Sequence, residues 1–260
     1  MTDLALTSAP AEQSVWPDLL RSEWAKFRTV RSTYWSLIVA VAAMIGLGAI
    51  ISAAQSGHQA GFDPVSISLS GVLLAQLAIG VLGVLFVTSE YSNGMIRTTF
   101  TAAPQRRSVI AAKAAVFAAV ALVVGTVTSL VTFLAGQALM SSHGVSLTSP
   151  GALRSVIGVG LYLGVLAVFA VGLATIIRST AGAIASVFGL ILVVPAVAQA
   201  LPTSIRDSVD KYLPGNAGQA IFHTIRDTST LSPWAGLGVF ALYAAAALAA
   251  GLVLVVRRDV

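Results

Sequence analysis

Cysteine is absent from the 260 residues, charged side chains make up 10% of them, and histidine occurs three times. Each scarcity closes a route. Without cysteine there are no disulfides and no thiolate metal sites, and the redox compartment is left undecided. His58, His143 and His223 are far apart and lack an H-E-x-x-H spacing, so they read as solvated loop residues and no metal site is expected. No G-x-x-x-x-G-K-[ST] phosphate loop occurs, and neither Lys113 nor Lys211 follows a glycine, which excludes nucleotide hydrolysis by that route. Period-two alternation is also missing, which argues against a transmembrane barrel.

What the chain has in abundance is apolar surface. Hydrophobic residues are 57% of the total and mean hydropathy is +0.89, against roughly 45–50% apolar usage in soluble domains. Apolar windows of about 20 residues, the length needed to cross a hydrocarbon core, recur between polar stretches. Six are read: Tyr34 to Ala54, Ser66 to Thr88, Val109 to Met140, Arg154 to Ile177, Ala181 to Leu201 and Pro233 to Val256. The third is long enough to tilt or to continue past the bilayer. The expected fold is an all-α integral membrane protein.

Basic residues set the expected orientation. Arg21, Lys26, Arg28 and Arg31 precede the first span; Arg97, Arg106, Arg107 and Lys113 follow the second; Arg178, Arg257 and Arg258 complete eleven of the 15. The other side keeps Arg154, Arg206, Lys211 and Arg226. The positive-inside bias therefore puts both termini and the loop after the second span in the cytoplasm. The net charge of +5 reflects topology, and no nucleic-acid partner is expected. The first span follows a long arm carrying four acids and is too long for a signal-peptide core, so it reads as permanent.

Residues 1–15 read as a disordered tail, residues 16–33 as an interfacial helix and residues 34–260 as the membrane unit. Trp16, Leu20, Trp24, Phe27 and Tyr34 fall near helical spacing, with Arg21, Glu23, Lys26 and Arg28 on the remaining faces. Pro17 and Asp18 suit a helix start. An amphipathic helix in the cytoplasmic interface follows, built from Trp24, Lys26, Phe27, Arg28 and Arg31 among others and lying against membrane lipid. A basic flank that only sets topology remains the alternative. The external loop over residues 202–232 is long enough to require short helices that dip into or cap the outer leaflet.

The expected span interiors contain no Asp or Glu, which weighs against ion-coupled transport. Gln76, Gln137 and Gln199 are the buried polar candidates, either touching a substrate path or bonding a neighbouring helix. Gly80 with Gly83, Gly160 with Gly164, and Gly182 with Ser186 allow close helix packing. If the chain transports, energy should arrive from another polypeptide through a cytoplasmic contact. The internal loop of useful size is residues 89–108. Glu90 sits at the membrane edge, Ser92 to Gly94 supplies a turn, "MIRTTFTAA" can form a short helix, and Pro104 stops it. A short helix held across two span ends can act as a lever.

Three stretches, "RSEWAKFRTVRSTYW", "SEYSNGMIRTTFTAAPQRRSVIAAK" and "YLPGNAG", together resemble the membrane subunits of ABC-2 type transporters, the short six-span bacterial permeases. The resemblance implies a coupling helix after the second span, seated against a separate ATP-binding subunit. Glu90, Tyr91, Gly94, Arg97, Thr98 and Pro104 would form or brace that element, with Arg106 and Lys113 anchoring the third span. It also implies two ATPase copies, a second or related permease, and a substrate path at the permease seam. ATP and magnesium would be held by the partner, with no cofactor on this chain. A bacterial cytoplasmic membrane and export of a hydrophobic or amphiphilic compound (drug, antibiotic, peptide or lipid) are the expectations. A stand-alone secondary carrier and a non-transporting immunity, sensor or assembly module are the rivals.

Overall fold

The computed structural model describes residues 15–55, 63–95, 105–140, 144–224 and 230–258. Every regular element among them is helical. A short helix, α1 (Val15–Thr29), leads into α2 (Arg31–Ala54) across Val30, whose extended backbone turns the chain. The remaining long elements are α3 (Pro64–Ser92), α4 (Arg106–Leu139), α5 (Ala152–Ile177), α6 (Thr180–Ala198) and α9 (Pro233–Arg257). Two short helices, α7 (Thr203–Val209) and α8 (Pro214–Gln219), occupy the α6–α9 connection. Six helices are thus long and apolar enough to span a bilayer, and the protein is a multi-pass membrane protein. The expected tail, residues 1–15, lies outside the described residues save for Val15.

The helices arrange themselves around α5, which packs against α3, α4 and α9 and has 72% of its most apolar stretch buried. The corresponding figures for α2, α6 and α9 are 22%, 28% and 28%, so these form the periphery. Their outward faces carry large apolar side chains such as Trp35, Val39, Ile50, Val193 and Leu242. Apolar exposure on this scale belongs against lipid or another protein, since water would drive it to aggregate.

Local chemistry accounts for the irregular places. Asp63 caps α3 by accepting from the Val65 and Ser66 amides at 3.1 and 3.2 Å, and Pro64 occupies the first turn where its missing N–H costs nothing. The helix tightens to a 3₁₀ turn at Leu69–Gly71, where α2 crosses so closely that a Cβ on Gly71 would strike the Met44 carbonyl oxygen. In α6 a π turn at Gly189–Val193 precedes Pro195, which cannot donate to the Ile191 carbonyl four residues back. The backbone of Gly215 in α8 lies against that same carbonyl. A proline in a span thereby creates the notch that seats the short helix beyond it.

Between α5 and α6 the chain reverses within Arg178 and Ser179. Arg178 takes a left-handed conformation, φ 59° and ψ 10°, and the Ser179 side chain caps α6 at the Gly182 amide. The Thr180 hydroxyl then donates to Thr88 Oγ1 at 2.9 Å, fastening the start of α6 to the end of α3.

Candidate functional site

Four charged side chains from three elements close into a ring at the α1 end of the bundle. Lys113 Nζ, in α4, lies 2.6 Å from Glu23 Oε2 and 2.8 Å from Glu90 Oε1. Lys26 Nζ, in α1, lies 2.7 Å from Glu23 Oε1 and 3.0 Å from the same Glu90 Oε1. Charges alternate around the ring and cancel. Lys113 and Glu23 side chains are each 1% exposed and Glu90 is 8% exposed, whereas Lys26 remains 32% exposed at the rim. The second Glu90 oxygen, Oε2, is buried without a hydrogen-bond partner among the described residues.

Burying four charges is tolerable only when each is paired and hydrogen-bonded. The geometry meets that condition through the helix that carries two of them. Glu23 and Lys26 stand one turn apart on α1, and α1 is held down by Leu19 and Phe27, both buried. Phe27 joins Phe86 of α3 and Phe117 of α4 in an aromatic cluster, with ring centroids 5.8 to 6.3 Å apart. Lys113 Nζ also lies 4.3 Å from the Phe86 ring centroid, giving it a cation–π contact. Burial works against the charge on Lys26, but the contacts to Glu23 and Glu90 outweigh it and hold its pKa above the ordinary lysine value.

The ring fixes which face of α1 meets the bundle. The periodicity sets Trp16, Leu20 and Trp24 in a stripe expected at headgroup depth, with Glu23 on one of the remaining faces. In the structure those three are 47%, 37% and 46% exposed, and the inward stripe is Leu19, Glu23 and Phe27. Glu23 faces inward because the Lys113 ammonium, buried inside an apolar helix, needs an acid, which leaves Trp16, Leu20 and Trp24 on the outer faces. Glu23 therefore belongs to the site although its local pattern did not mark it. A lysine seven residues into an apolar span was the available signal that a distant carboxylate must come to it.

The other candidates distribute as follows. Tyr91 is half-buried beside Glu90, with the Arg178 guanidinium carbon 5.3 Å from its ring centroid. Gly94 ends the turn with φ 68°, a conformation that favours glycine. Arg106 opens α4 and is half-buried, while Arg28 and Arg31 are exposed. Arg97, Thr98 and Pro104, and with them the expected short helix, lie outside the described residues.

The three glutamines do not share one site. Gln76 is buried in α3, where its Oε1 accepts from the Tyr162 hydroxyl at 2.6 Å and from Gln219 Nε2 at 3.4 Å. Gln219 in turn lines a cavity of about 350 Å³ at the far end, together with Gln199, Asp210, Lys211, Asn216 and His223. Gln199 donates to Asp210 at 3.3 Å. Gln137 stands apart, donating to the Pro64 carbonyl and Ser68 hydroxyl at 2.9 and 2.7 Å and accepting from the Val145 amide at 2.7 Å. Those bonds tie α3 to α4 and to the loop beyond.

Near the same end, Asp63 accepts from the Thr224 amide at 3.3 Å and Arg154 donates to the His223 carbonyl at 2.7 Å. Burial would raise the Asp63 pKa, yet hydrogen bonds from Ser66 and Thr224 outweigh it and hold the carboxyl below its usual range. Burial lowers the His223 pKa, with Asp63 nearby opposing.

Among the described residues no cluster of histidine and acidic side chains could hold a metal ion. A family model described as ABC-2 family transporter protein matches residues 19–196, from the buried stripe of α1 to the last turn of α6. No curated protein matches this chain.

Proposed function

We propose, for a chain that belongs to the ABC-2 transporter family and is an ABC transporter permease subunit, that it exports a hydrophobic or amphiphilic compound using ATP hydrolysed elsewhere. The family consists of membrane subunits without an ATPase site of their own, which partner an ABC ATP-binding subunit. Two ATPase copies, binding ATP and magnesium, would sit against the α1 end, which the excess of Lys and Arg assigns to the cytoplasm. A second permease would complete the substrate path, in the cytoplasmic membrane of a bacterium.

The observation that carries this reading is the charge ring. It joins α1, the end of α3 and the start of α4, and α3 and α4 are the two helices linked by residues 93–105. Any push on that linker is delivered first to Glu90 and Lys113, and through them to α1. Tyr91 and Gly94 set the exit of α3, and Arg106 opens α4. Residues 89–108 thus serve as the coupling segment, with Arg97, Thr98 and Pro104 in its middle, and residues 16–33 as an interfacial brace. Gln76 is the glutamine best placed to meet a substrate, since its polar chain reaches the far-end cavity through Gln219.

Copurification in mild detergent tests the partnership. A stoichiometric ATP-binding subunit retained on the tagged permease supports the reading. A folded permease that transports in proteoliposomes with no ATPase present contradicts it.

A further inference from the structure

Outside the charge ring, α1, α2 and α4 border an open groove of about 550 Å³. Its inner wall is apolar, formed by Leu37, Val120 and Val124. Arg28 and Arg31 stand at its rim, and neither makes an ion pair or hydrogen bond among the described residues. No acid among the described residues lines the groove. The carboxylate nearest in sequence, Glu23, is turned inward and neutralised by Lys113 and Lys26. Tyr34 and Trp35 lie along the opening and are 61% and 65% exposed. Aromatic rings with one apolar and one polar edge take that position at headgroup depth.

We propose that this groove is a binding site for one anionic phospholipid of the leaflet beside α1. Arg28 and Arg31 clamp the phosphate, and an acyl chain runs down Leu37, Val120 and Val124. Guanidinium forks match phosphate oxygens bidentately, and two arginines with no partner among the described residues, set above an apolar wall, complement a ligand with one anionic end and one hydrocarbon end. A second groove, bordered by Leu20, Arg21, Ala115, Val116 and Ala119, shares Trp24 with the first. The site is preformed, because the ring of Glu23, Lys26, Glu90 and Lys113 fixes α1 against α4 before any lipid arrives. Its assignment to the cytoplasmic leaflet rests on the orientation proposed above; its assignment to an anionic lipid rests on the groove alone.

The test is native mass spectrometry of the full-length protein in detergent, titrated with phosphatidylglycerol or with phosphatidylcholine of the same acyl chains. The unmodified protein should retain one phosphatidylglycerol in preference to phosphatidylcholine. The double variant Arg28→Ala, Arg31→Ala should bind phosphatidylglycerol about 30-fold more weakly. The double variant Arg107→Ala, Arg257→Ala, which removes two exposed charges from the same end of the bundle, should lose threefold at most. Val124→Trp, which fills the slot and leaves both arginines, should also expel the lipid. Equal retention of both lipids, equal losses in the two double variants, or full retention by Val124→Trp would overturn the proposal, the last two by showing only diffuse surface attraction. None of these readouts requires the ATPase, so a failed coupling experiment leaves the lipid site standing, and the reverse holds too.

Discussion

Glu23 and Lys113, 90 residues apart in sequence, meet at 2.6 Å with each side chain 1% exposed. The pair fastens a helix outside the six spans to the interior of the third. Removing one partner leaves a buried charge short of compensation, which costs about 3–5 kcal/mol. Lys113→Met should therefore lower the thermal unfolding midpoint in detergent clearly. Adding Glu23→Gln to it leaves Glu90 paired with Lys26 alone and should recover a substantial part of the loss. A double variant no more stable than Lys113→Met would show that the two residues are not energetically linked.

The contact between α5 and α9 is equally specific. A Cβ on Gly172 would stand 2.6 Å from the Leu248 backbone nitrogen and 2.7 Å from the Ala247 carbonyl carbon. Backbone cannot swing away as a side chain can, so Gly172→Ala should cost about 1–3 kcal/mol by forcing the helices apart. Gly46, in α2, has nothing within 4 Å of the same added atom. Gly46→Ala should be neutral or stabilising by up to about 1 kcal/mol, because glycine is the poorer helix former. Parallel thermal melts of the two variants compare them directly.

Acid should loosen the far end in two steps. The lowered His223 pKa means that its neutral form is favoured in the fold. That contribution is complete above the ordinary histidine value of about 6.5 and is lost as pH falls through the lowered one. The lowered Asp63 pKa means that its contribution is present above about 3.9 and is lost as pH falls further, through its own lowered value. Protection of the Val65, Ser66 and Thr224 amides from hydrogen exchange, relative to the intrinsic rate at each pH, should fall accordingly. Asp63→Asn should remove the lower step and leave the upper one; an unchanged lower step would show that another group governs it.

The glutamines should separate by phenotype. Gln137 is fully used in holding Pro64, Ser68 and Val145, so Gln137→Leu leaves buried groups unpaired at about 1–3 kcal/mol each. It should lower stability without altering which compounds are moved. Gln76→Leu should instead shift the order of preference among a panel of fluorescent amphiphiles while basal ATP turnover persists. An unchanged order would return Gln76 to a packing role with Tyr162.

The six spans were legible in the sequence because each is a long uninterrupted apolar run, and a bilayer demands little else of a helix. The turn at Asn93 and Gly94, and the short helices α7 and α8, were legible for similarly local reasons. The face of α1 that meets the bundle was not. Helical periodicity finds an apolar stripe, but on an interfacial helix lipid and protein both accept such a stripe, so Trp16 and Leu20 could not be told from Leu19 and Phe27. Glu23 was missed because the partner that draws it inward, Lys113, lies 90 residues away, beyond any pattern within α1. The same limit applies to Gln76, whose neighbours Tyr162 and Gln219 come from other parts of the chain.

The central claim is that energy reaches the spans through the ring that Glu90 closes. The most direct measurement is the amount of amphiphile moved per ATP hydrolysed, in proteoliposomes holding the permease with its ATPase, using a dye that the unmodified complex transports. Glu90→Gln keeps the shape and removes the charge that both lysines share. With membrane insertion and ATPase binding verified, ATP turnover should persist while dye moved per ATP falls tenfold or more. A Glu90→Gln complex that moves as much dye per ATP as the unmodified one would contradict the account.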